Sequence, residues 1–247
     1  MNTYTQIAEG LAGWLAYERR CGRGGLLSES SLKHPLGDLL QGHYTGRVHA
    51  EVEHAVLASA RNRRGRKPRI DFAVSGEDGK YDLIIEAKWA SWSPTLLPDI
   101  LADIVRLYLL LGSHARDAVL LFGGERRAIE KVFDSTMFQP APKGLQNQAG
   151  YLYSANKSVL PLGEKIKSSL RFAPVPPHRR SMYLRVLEPF VGVPVPNLVH
   201  VIRSGPFPRV ANASTHQVYF WRVPRYDSSR LTFMPENEYP ELRETAV

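Results

Sequence analysis

The chain of 247 residues has a single cysteine, Cys21, and no long uninterrupted apolar run. One cysteine excludes a disulfide framework within the chain and a cysteine-rich zinc module, and it favours a reducing, intracellular setting. The longest apolar stretch, 100–111, is interrupted by Asp103 and Arg106, so we expect no membrane-spanning helix. The first residues lack the basic and apolar segments of a signal peptide. We therefore expect a cytoplasmic protein that does not contact membranes.

Motifs of the common nucleotide-binding and hydrolase sites are also missing. The sequence contains no phosphate-binding P-loop, no Gly-x-Gly-x-x-Gly and no Gly-x-Ser-x-Gly, which argues against NTPases, dinucleotide-binding enzymes and serine hydrolases. Its eight histidines lack the spacing of a zinc site. A composition of 43% hydrophobic and 23% charged residues is typical of a globular protein.

The chain has a formal net charge of +8, and this charge is distributed unevenly. Residues 141–230 contain 13 Lys and Arg against 3 acidic residues, whereas residues 1–140 are nearly neutral. The densest basic run nevertheless lies in the neutral part, and it comprises Arg61, Arg63, Arg64, Arg66, Lys67 and Arg69. Such a run is either a solvated loop or a set of phosphate contacts. The positive charge predicts a polyanionic partner, with DNA as the first candidate.

Hydrophobic periodicity predicts a mixed α/β core in residues 1–140. The predicted helices are Thr5–Arg20, a second one from Ser28 that Pro35 kinks or restarts, Asp99–Leu111 and Glu125–Phe133. The predicted strands are Val48–His54, Arg69–Val74, Tyr81–Trp89 and Ala118–Phe122. The stretch 55–60 fits either a longer first strand or a helix. A turn over 75–80 joins the second and third strands into a hairpin.

Residues 141–247 are proline-rich and basic, and their apolar segments are short. They predict a mainly β-structured part, either an extension of the first domain or a small subdomain, with short strands at Leu198–Ile202, Val218–Val223 and Leu231–Phe233. In the second of these strands, alternation puts Tyr219 and Trp221 on one face and Phe220 and Arg222 on the other. We expect one face to be core and the other to offer stacking to a single nucleic-acid strand.

The hairpin carries the residues that suit chemistry. Strand alternation puts Glu86 and Lys88 side by side on one face, and the turn brings Asp71 back beside them. Two carboxylates offer the hard oxygen ligands that Mg²⁺ prefers. A neighbouring ammonium can orient a water molecule or offset the charge that grows during phosphodiester hydrolysis. The alternative is a surface Glu–Lys pair on a half-exposed strand.

These residues resemble a known family. Arg69-Ile70-Asp71, followed by Ile84-Ile85-Glu86-Ala87-Lys88, is similar to the motif of the PD-(D/E)xK nuclease superfamily, with Ile70 where the motif has proline. The resemblance covers roughly residues 25–125. It implies a restriction-endonuclease-like mixed sheet flanked by helices, with a β-rich basic C-terminal extension. It also implies Mg²⁺ or Mn²⁺ held by Asp71, Glu86 and the Ala87 carbonyl, with Lys88 orienting the water.

The same resemblance implies a further glutamate on the helix before the first core strand. Glu29 is the first candidate, although an acid in a first helical turn is also favoured by the helix dipole alone. Glu53, with Glu51 as the weaker rival, takes the role if residues 50–60 are helical. On the helix after the lysine strand, Asp99, Asp103 and Arg106 either line the active-site cleft or form an i, i+3 ion pair, and we favour the ion pair.

The sequence thus predicts a Mg²⁺-dependent nuclease acting on DNA or, less often, RNA, with a role in defence or repair by analogy with the fold class. The alternative is a nuclease-like module that binds DNA without cutting it. A third possibility is that the basic half binds an acidic protein. Relatives of this fold class often act as dimers, so a homodimer is a further expectation.

Overall fold

The computed structural model describes residues 2–60, 67–91, 93–134, 165–172, 180–209, 215–225 and 232–246. Its α-helices are α1 (Thr3–Arg20), α2 (Glu29–His43), α3 (Ala55–Ala60), α4 (Leu96–Leu110), α5 (Arg126–Phe133), α6 (Arg180–Leu187) and α7 (Pro235–Glu238). Its strands are β1 (Val48–Glu53), β2 (Arg69–Ser75), β3 (Tyr81–Ala90), β4 (Ala118–Glu125), β5 (Lys165–Arg171), β6 (Val195–Pro196), β7 (Leu198–Phe207), β8 (His216–Arg222) and β9 (Thr232–Phe233).

Seven strands form one mixed sheet in the order β1-β2-β3-β4-β8-β7-β5. The β3–β4 pair is parallel and is connected through α4, whereas the other neighbours in this sheet are antiparallel. A parallel pair needs such a crossover, because the chain must return to the end of the sheet at which the first strand began. Strand β8, from the C-terminal half, pairs directly with β4 along its whole length. The sheet therefore runs without interruption from the first half of the chain into the second.

Helices cover both faces of this sheet, and each face has its own hydrophobic core. One core joins α4 and α6 to the sheet through residues such as Ile104, Leu120 and Val186. The other joins α1 and α2 to the opposite face through residues such as Leu11, Leu36 and Ile85. Strands β3 and β4 are buried on both faces, which explains their nearly continuous apolar sequences. The fold is a three-layer α/β arrangement.

Most predicted elements of residues 1–140 are confirmed with small shifts of their ends. The β2–β3 hairpin forms as expected, and Ala55–Ala60 is a helix and not an extension of β1. Helix α2 begins after Ser28, whose backbone N–H donates to the Ser31 hydroxyl at 3.1 Å, and it continues through Pro35 without a restart. Pro35 is one of the buried residues of this helix.

The C-terminal strands are confirmed, but the prediction of an aromatic stacking face was wrong. Tyr219, Phe220 and Trp221 are all at most 4% exposed, because β8 is an interior strand with helices on both faces. Trp221 lies beside Phe133 and Phe122 on one face, and Phe220 stacks on Phe207 on the other. Of the helices in the described ranges, none is both long enough and apolar enough to cross a membrane.

Candidate functional site

The candidate site lies where β2 and β3 separate. Phe72 pairs with Ile85 in the β2–β3 ladder. Beyond that pair, the Asp71 carboxylate makes the contact between the two strands. Asp71 Oδ2 accepts a hydrogen bond from the Ala87 N–H at 2.8 Å. The N–H and C=O of one residue in an extended strand point to the same neighbour, so the Ala87 carbonyl faces this gap as well. We call this gap, lined by Asp71, Glu86, Ala87 and Lys88, the notch.

On the α2 side of the notch, a lysine joins two of the predicted site residues. Lys33 Nζ lies 2.7 Å from Asp71 Oδ1 and 2.8 Å from Glu29 Oε1. Burial alone would lower the pKa of Lys33, but its bonds to Asp71 and Glu29 outweigh burial and raise the pKa. Asp71 and Glu29 thus share one ammonium group that stays charged.

On the α4 side, Glu86 projects into a largely buried ion-pair network. Glu86 is only 4% exposed, and its Oε1 lies 2.9 Å from Arg106 Nη2 but without hydrogen-bond geometry. Burial, together with the nearby carboxylates of Asp103 and Asp71, raises the pKa of Glu86 well above its ordinary value. Arg106 also pairs with Asp103 at 3.0 Å, which confirms the predicted i, i+3 ion pair.

Lys88 connects the two sides of the notch. Its Nζ lies 2.9 Å from Asp103 Oδ2 on α4 and 4.0 Å from Glu29 Oε2 on α2. Burial alone would lower the pKa of Lys88, but Asp103, Glu29 and Glu86 together outweigh it and raise the pKa. The lysine is therefore a protonated donor at neutral pH.

Helix α4 is fixed to the rest of the site through His54, which is fully buried. The Nδ1 atom of His54 accepts the Leu57 N–H at 3.2 Å, so Nε2 carries the proton and donates to the Arg106 carbonyl at 3.0 Å. Burial, aided by the nearby Arg106 charge, lowers the pKa of His54 to about 4. A neutral imidazole therefore holds the backbone of α4 at the residue whose side chain reaches Glu86.

A cleft of about 480 Å³ opens beside the notch on the α4 side. Its charged lining includes four basic side chains, Lys67, Arg69, Lys88 and Arg106, and three acidic ones, Glu51, Asp99 and Asp103. Pro189, from the C-terminal half, forms part of the wall. The sequence left open whether Asp103 and Arg106 form an ion pair or line the cleft. They pair with each other and also line the cleft.

The predicted basic run is described in part. Arg61, Arg63, Arg64 and Arg66 lie outside the described residues. Lys67 lines the cleft and pairs with Glu53 at 2.8 Å. Arg69 is exposed at the start of β2, and its carbonyl accepts a hydrogen bond from the Arg106 guanidinium. Both described members of the run therefore border the cleft.

Several arginines of the C-terminal half contact protein groups. Arg180 pairs with Glu241 at 2.6 Å, and Arg222 pairs with Asp117 at 2.9 Å. Arg203 is 2% exposed and lies 5.4 Å from the Phe133 ring. These three side chains are already in contact with protein groups, so the net charge of this half overstates what it offers to a polyanion.

Of the three candidates for the helix glutamate, Glu29 is the one that reaches the notch. Glu53 is in β1 and not in a helix, and it pairs with Lys67 outside the notch. Glu51 is also in β1, with a positive φ of 54°, and lines the cleft. Glu29 lies in the first turn of α2 and contacts both Lys33 and Lys88. It therefore has both the position that the helix dipole favours and contacts with the residues of the notch.

Lys33 is a residue of the site that the sequence pattern does not identify. Its signal was available, because Lys33 follows Glu29 by four residues and therefore shares its helix face. The spacing alone predicts only a surface ion pair. Its contact with Asp71 depends on how α2 packs against β2, and one sequence does not reveal that packing.

The donors in the notch suit a hard divalent cation. Asp71, Glu86 and the Ala87 carbonyl supply oxygen atoms of the kind that Mg²⁺ and Mn²⁺ prefer. Within the described ranges, however, no group of three or more acidic, histidine or cysteine side chains could hold a metal ion as it stands. Two carboxylates with one carbonyl fall below that number, and Lys33 and Arg106 already neutralise these carboxylates.

Comparisons of this chain with protein-family models, with curated proteins and with solved structures found no match. The similarity to the PD-(D/E)xK motif therefore depends on the residues of the β2–β3 hairpin and their surroundings.

Proposed function

We propose that this protein is a divalent-metal-dependent nuclease with a restriction-endonuclease-like core, and that it hydrolyses phosphodiester bonds of DNA or RNA at the notch. The observation that carries the proposal is that Asp71, Glu86 and Lys88 meet where β2 and β3 separate. Glu86 is close enough to Asp71 and Lys88 for their charges to interact, and Glu29 reaches Lys88 from α2. These residues come from three elements. A surface Glu–Lys pair would need none of this arrangement.

In this proposal Asp71 Oδ1, Glu86 and the Ala87 carbonyl hold Mg²⁺ or Mn²⁺. A bound ion of this kind polarises the phosphoryl group and acidifies a water molecule. Asp71 is oriented for the task because its other oxygen is held by the Ala87 N–H at 2.8 Å. Glu86 must be ionised to act as a ligand, so its raised pKa means that metal binding at this site weakens as the pH falls.

Lys88 acts as a donor in this site. Since its pKa is raised, its ammonium does not remove a proton from water at neutral pH. It donates instead to the oxygen of the attacking water or to a phosphate oxygen, and its charge offsets the negative charge that grows on the phosphoryl group. Asp103, 2.9 Å away, keeps the ammonium oriented toward the cleft side of the notch.

The cleft supports nucleic acid as the substrate. Four basic side chains border it, and Lys67 and Arg69 extend from the basic run to its edge. Phosphate contacts made by such residues give an affinity that falls steeply with salt concentration. The acidic side chains of the cleft lie among these basic side chains. The cleft is therefore suited to contact a phosphate backbone at defined points and not along its whole length.

The test uses the purified full chain with plasmid DNA, single-stranded DNA and RNA in Mg²⁺ or Mn²⁺. We expect cleavage of at least one substrate, and its loss in Asp71→Asn and in Lys88→Met. Asp78→Asn is the control, because Asp78 is an exposed carboxylate paired with Arg116 at 3.4 Å. Cleavage that survives in Asp71→Asn at the wild-type rate would rule out the proposed site.

A second candidate function is a nuclease-like module that binds DNA without cutting it. The observation in its favour is that Lys33 and Arg106 neutralise the two carboxylates that a metal would need. This function predicts salt-sensitive DNA binding with no heat of Mg²⁺ or Mn²⁺ binding in calorimetry. The nuclease predicts both signals.

A further inference from the structure

Both carboxylate oxygens of Asp71 already have partners. The Ala87 N–H holds Oδ2 at 2.8 Å, and Lys33 Nζ holds Oδ1 at 2.7 Å. The Oδ2 contact takes the place of a ladder bond between β2 and β3, and it satisfies the Ala87 N–H. Oδ1 is therefore the oxygen that Asp71 can offer to another cation, and Lys33 occupies it.

Lys33 is placed so that it can leave Asp71 without losing every partner. It lies one helical turn after Glu29 on α2, and the two side chains pair at 2.8 Å. The lysine side chain is 29% exposed, so its ammonium has access to water. Release from Asp71 therefore leaves Lys33 paired with Glu29 and hydrated, and it requires no change in the helix.

We propose that Lys33 is a tethered cation that competes with the divalent metal for Asp71 and so regulates metal loading of the site. The inference rests on the proposed function, because it concerns the same metal. An ammonium bonded to Oδ1 and a metal ligated by the same oxygen would lie about 4 Å apart, and at that separation the two cations repel each other and so compete for Asp71. Lys33 is a positioning residue in this scheme and takes no part in the chemical step.

The experiment measures the Kd for Mn²⁺ of the full chain by isothermal calorimetry and by loss of the six-line EPR signal of free Mn²⁺. We expect Lys33→Met to bind Mn²⁺ about tenfold more tightly than wild type or better, because one competing charge has been removed. Lys33→Arg keeps the charge and should stay near the wild-type Kd. Lys67→Met is the matched control, since it removes a lysine that also pairs with a glutamate at 2.8 Å, outside the notch.

Lys33→Gln carries the same prediction in case Lys33→Met does not fold. An unchanged or weaker Mn²⁺ affinity in the neutral variants would overturn the inference and leave the proposed function standing. Tighter binding that Lys67→Met reproduces would also overturn it, because the effect would then come from net charge. No Mn²⁺ binding in wild type or in any variant would contradict the proposed nuclease itself together with this regulation.

Discussion

Replacement of Arg106 by methionine tests whether α4 packs onto the notch as described. Arg106 pairs with Glu86 at 2.9 Å and with Asp103 at 3.0 Å, and both carboxylates are 4% exposed. Methionine retains much of the apolar stem of the side chain and removes the charge. Asp103 keeps Lys88 as a partner at 2.9 Å. The variant therefore leaves Glu86 as the buried carboxylate that has lost its closest cation.

Loss of one partner from a buried ion pair costs about 3–5 kcal/mol of folding free energy. Such a loss is large against a total stability on the order of 5–15 kcal/mol. It is also pH-dependent. The pKa of Glu86 is already above the unfolded value and rises further without Arg106, so the folded variant binds a proton that the unfolded chain does not. The loss relative to wild type is therefore smallest at acid pH, where Glu86 is protonated in both folded proteins, and it grows as the pH rises through the folded-state pKa of Glu86 in the wild type.

The assay is urea denaturation of four proteins at pH 5 and pH 8: wild type, Arg106→Met, Glu86→Gln and the double variant. We expect Arg106→Met to be the least stable at pH 8. The double variant should recover at least about 1.5 kcal/mol of that loss, a coupling typical of residues in direct contact. A loss in Arg106→Met below about 1 kcal/mol at pH 8, with no coupling to Glu86→Gln, would refute the ion pair and the placement of α4.

Two further predictions concern the supports of the site. The pKa of His54 falls from 6.5 to about 4 on folding, so the unfolded chain binds a proton at a higher pH than the folded chain does. About 3 kcal/mol of stability is therefore lost as the pH falls from 6.5 to 4. Urea denaturation across this range should show a smaller loss in His54→Gln. Gly46→Ala should cost about 1–3 kcal/mol, because a β-carbon there would clash with the Ser75 carbonyl. Gly13→Ala, on the exposed face of α1, has free space and should gain about 1 kcal/mol in the same measurement.

The elements around the site could be predicted because their patterns are local. The alternation of β3 and the turn before it are sufficient to predict that Asp71 returns beside Glu86. Burial of β8 was not predictable in this way. Tyr219 and Trp221 alternate with Phe220 as they would in a half-exposed strand, and only the position of β8 between β4 and β7 puts helices over both faces.

The members of the ion-pair network were harder to identify than the motif. Arg106 and Asp103 share a helix face, so their own pair follows from spacing. Their contacts with Glu86 and Lys88 depend on the crossover that lays α4 over β3. The Lys33–Asp71 contact depends in the same way on α2 across the other face. Contacts between elements distant in sequence are set by tertiary packing, and no short window of sequence contains them.

The energetics of the notch are relevant to whether the site is functional or structural. A buried ion pair that serves only stability is no better than well-packed apolar residues of the same volume. Here Glu86 Oε1, Asp103 Oδ2 and Arg106 Nε are buried without hydrogen-bond geometry, so the network keeps its charges at a cost. A strongly perturbed carboxylate beside a cleft, such as Glu86, is typical of sites that bind or react. If the notch were structural only, Glu86→Gln should leave Mn²⁺ and nucleic-acid binding unchanged. In a functional notch the same substitution removes the metal, because it replaces a carboxylate ligand by a neutral amide.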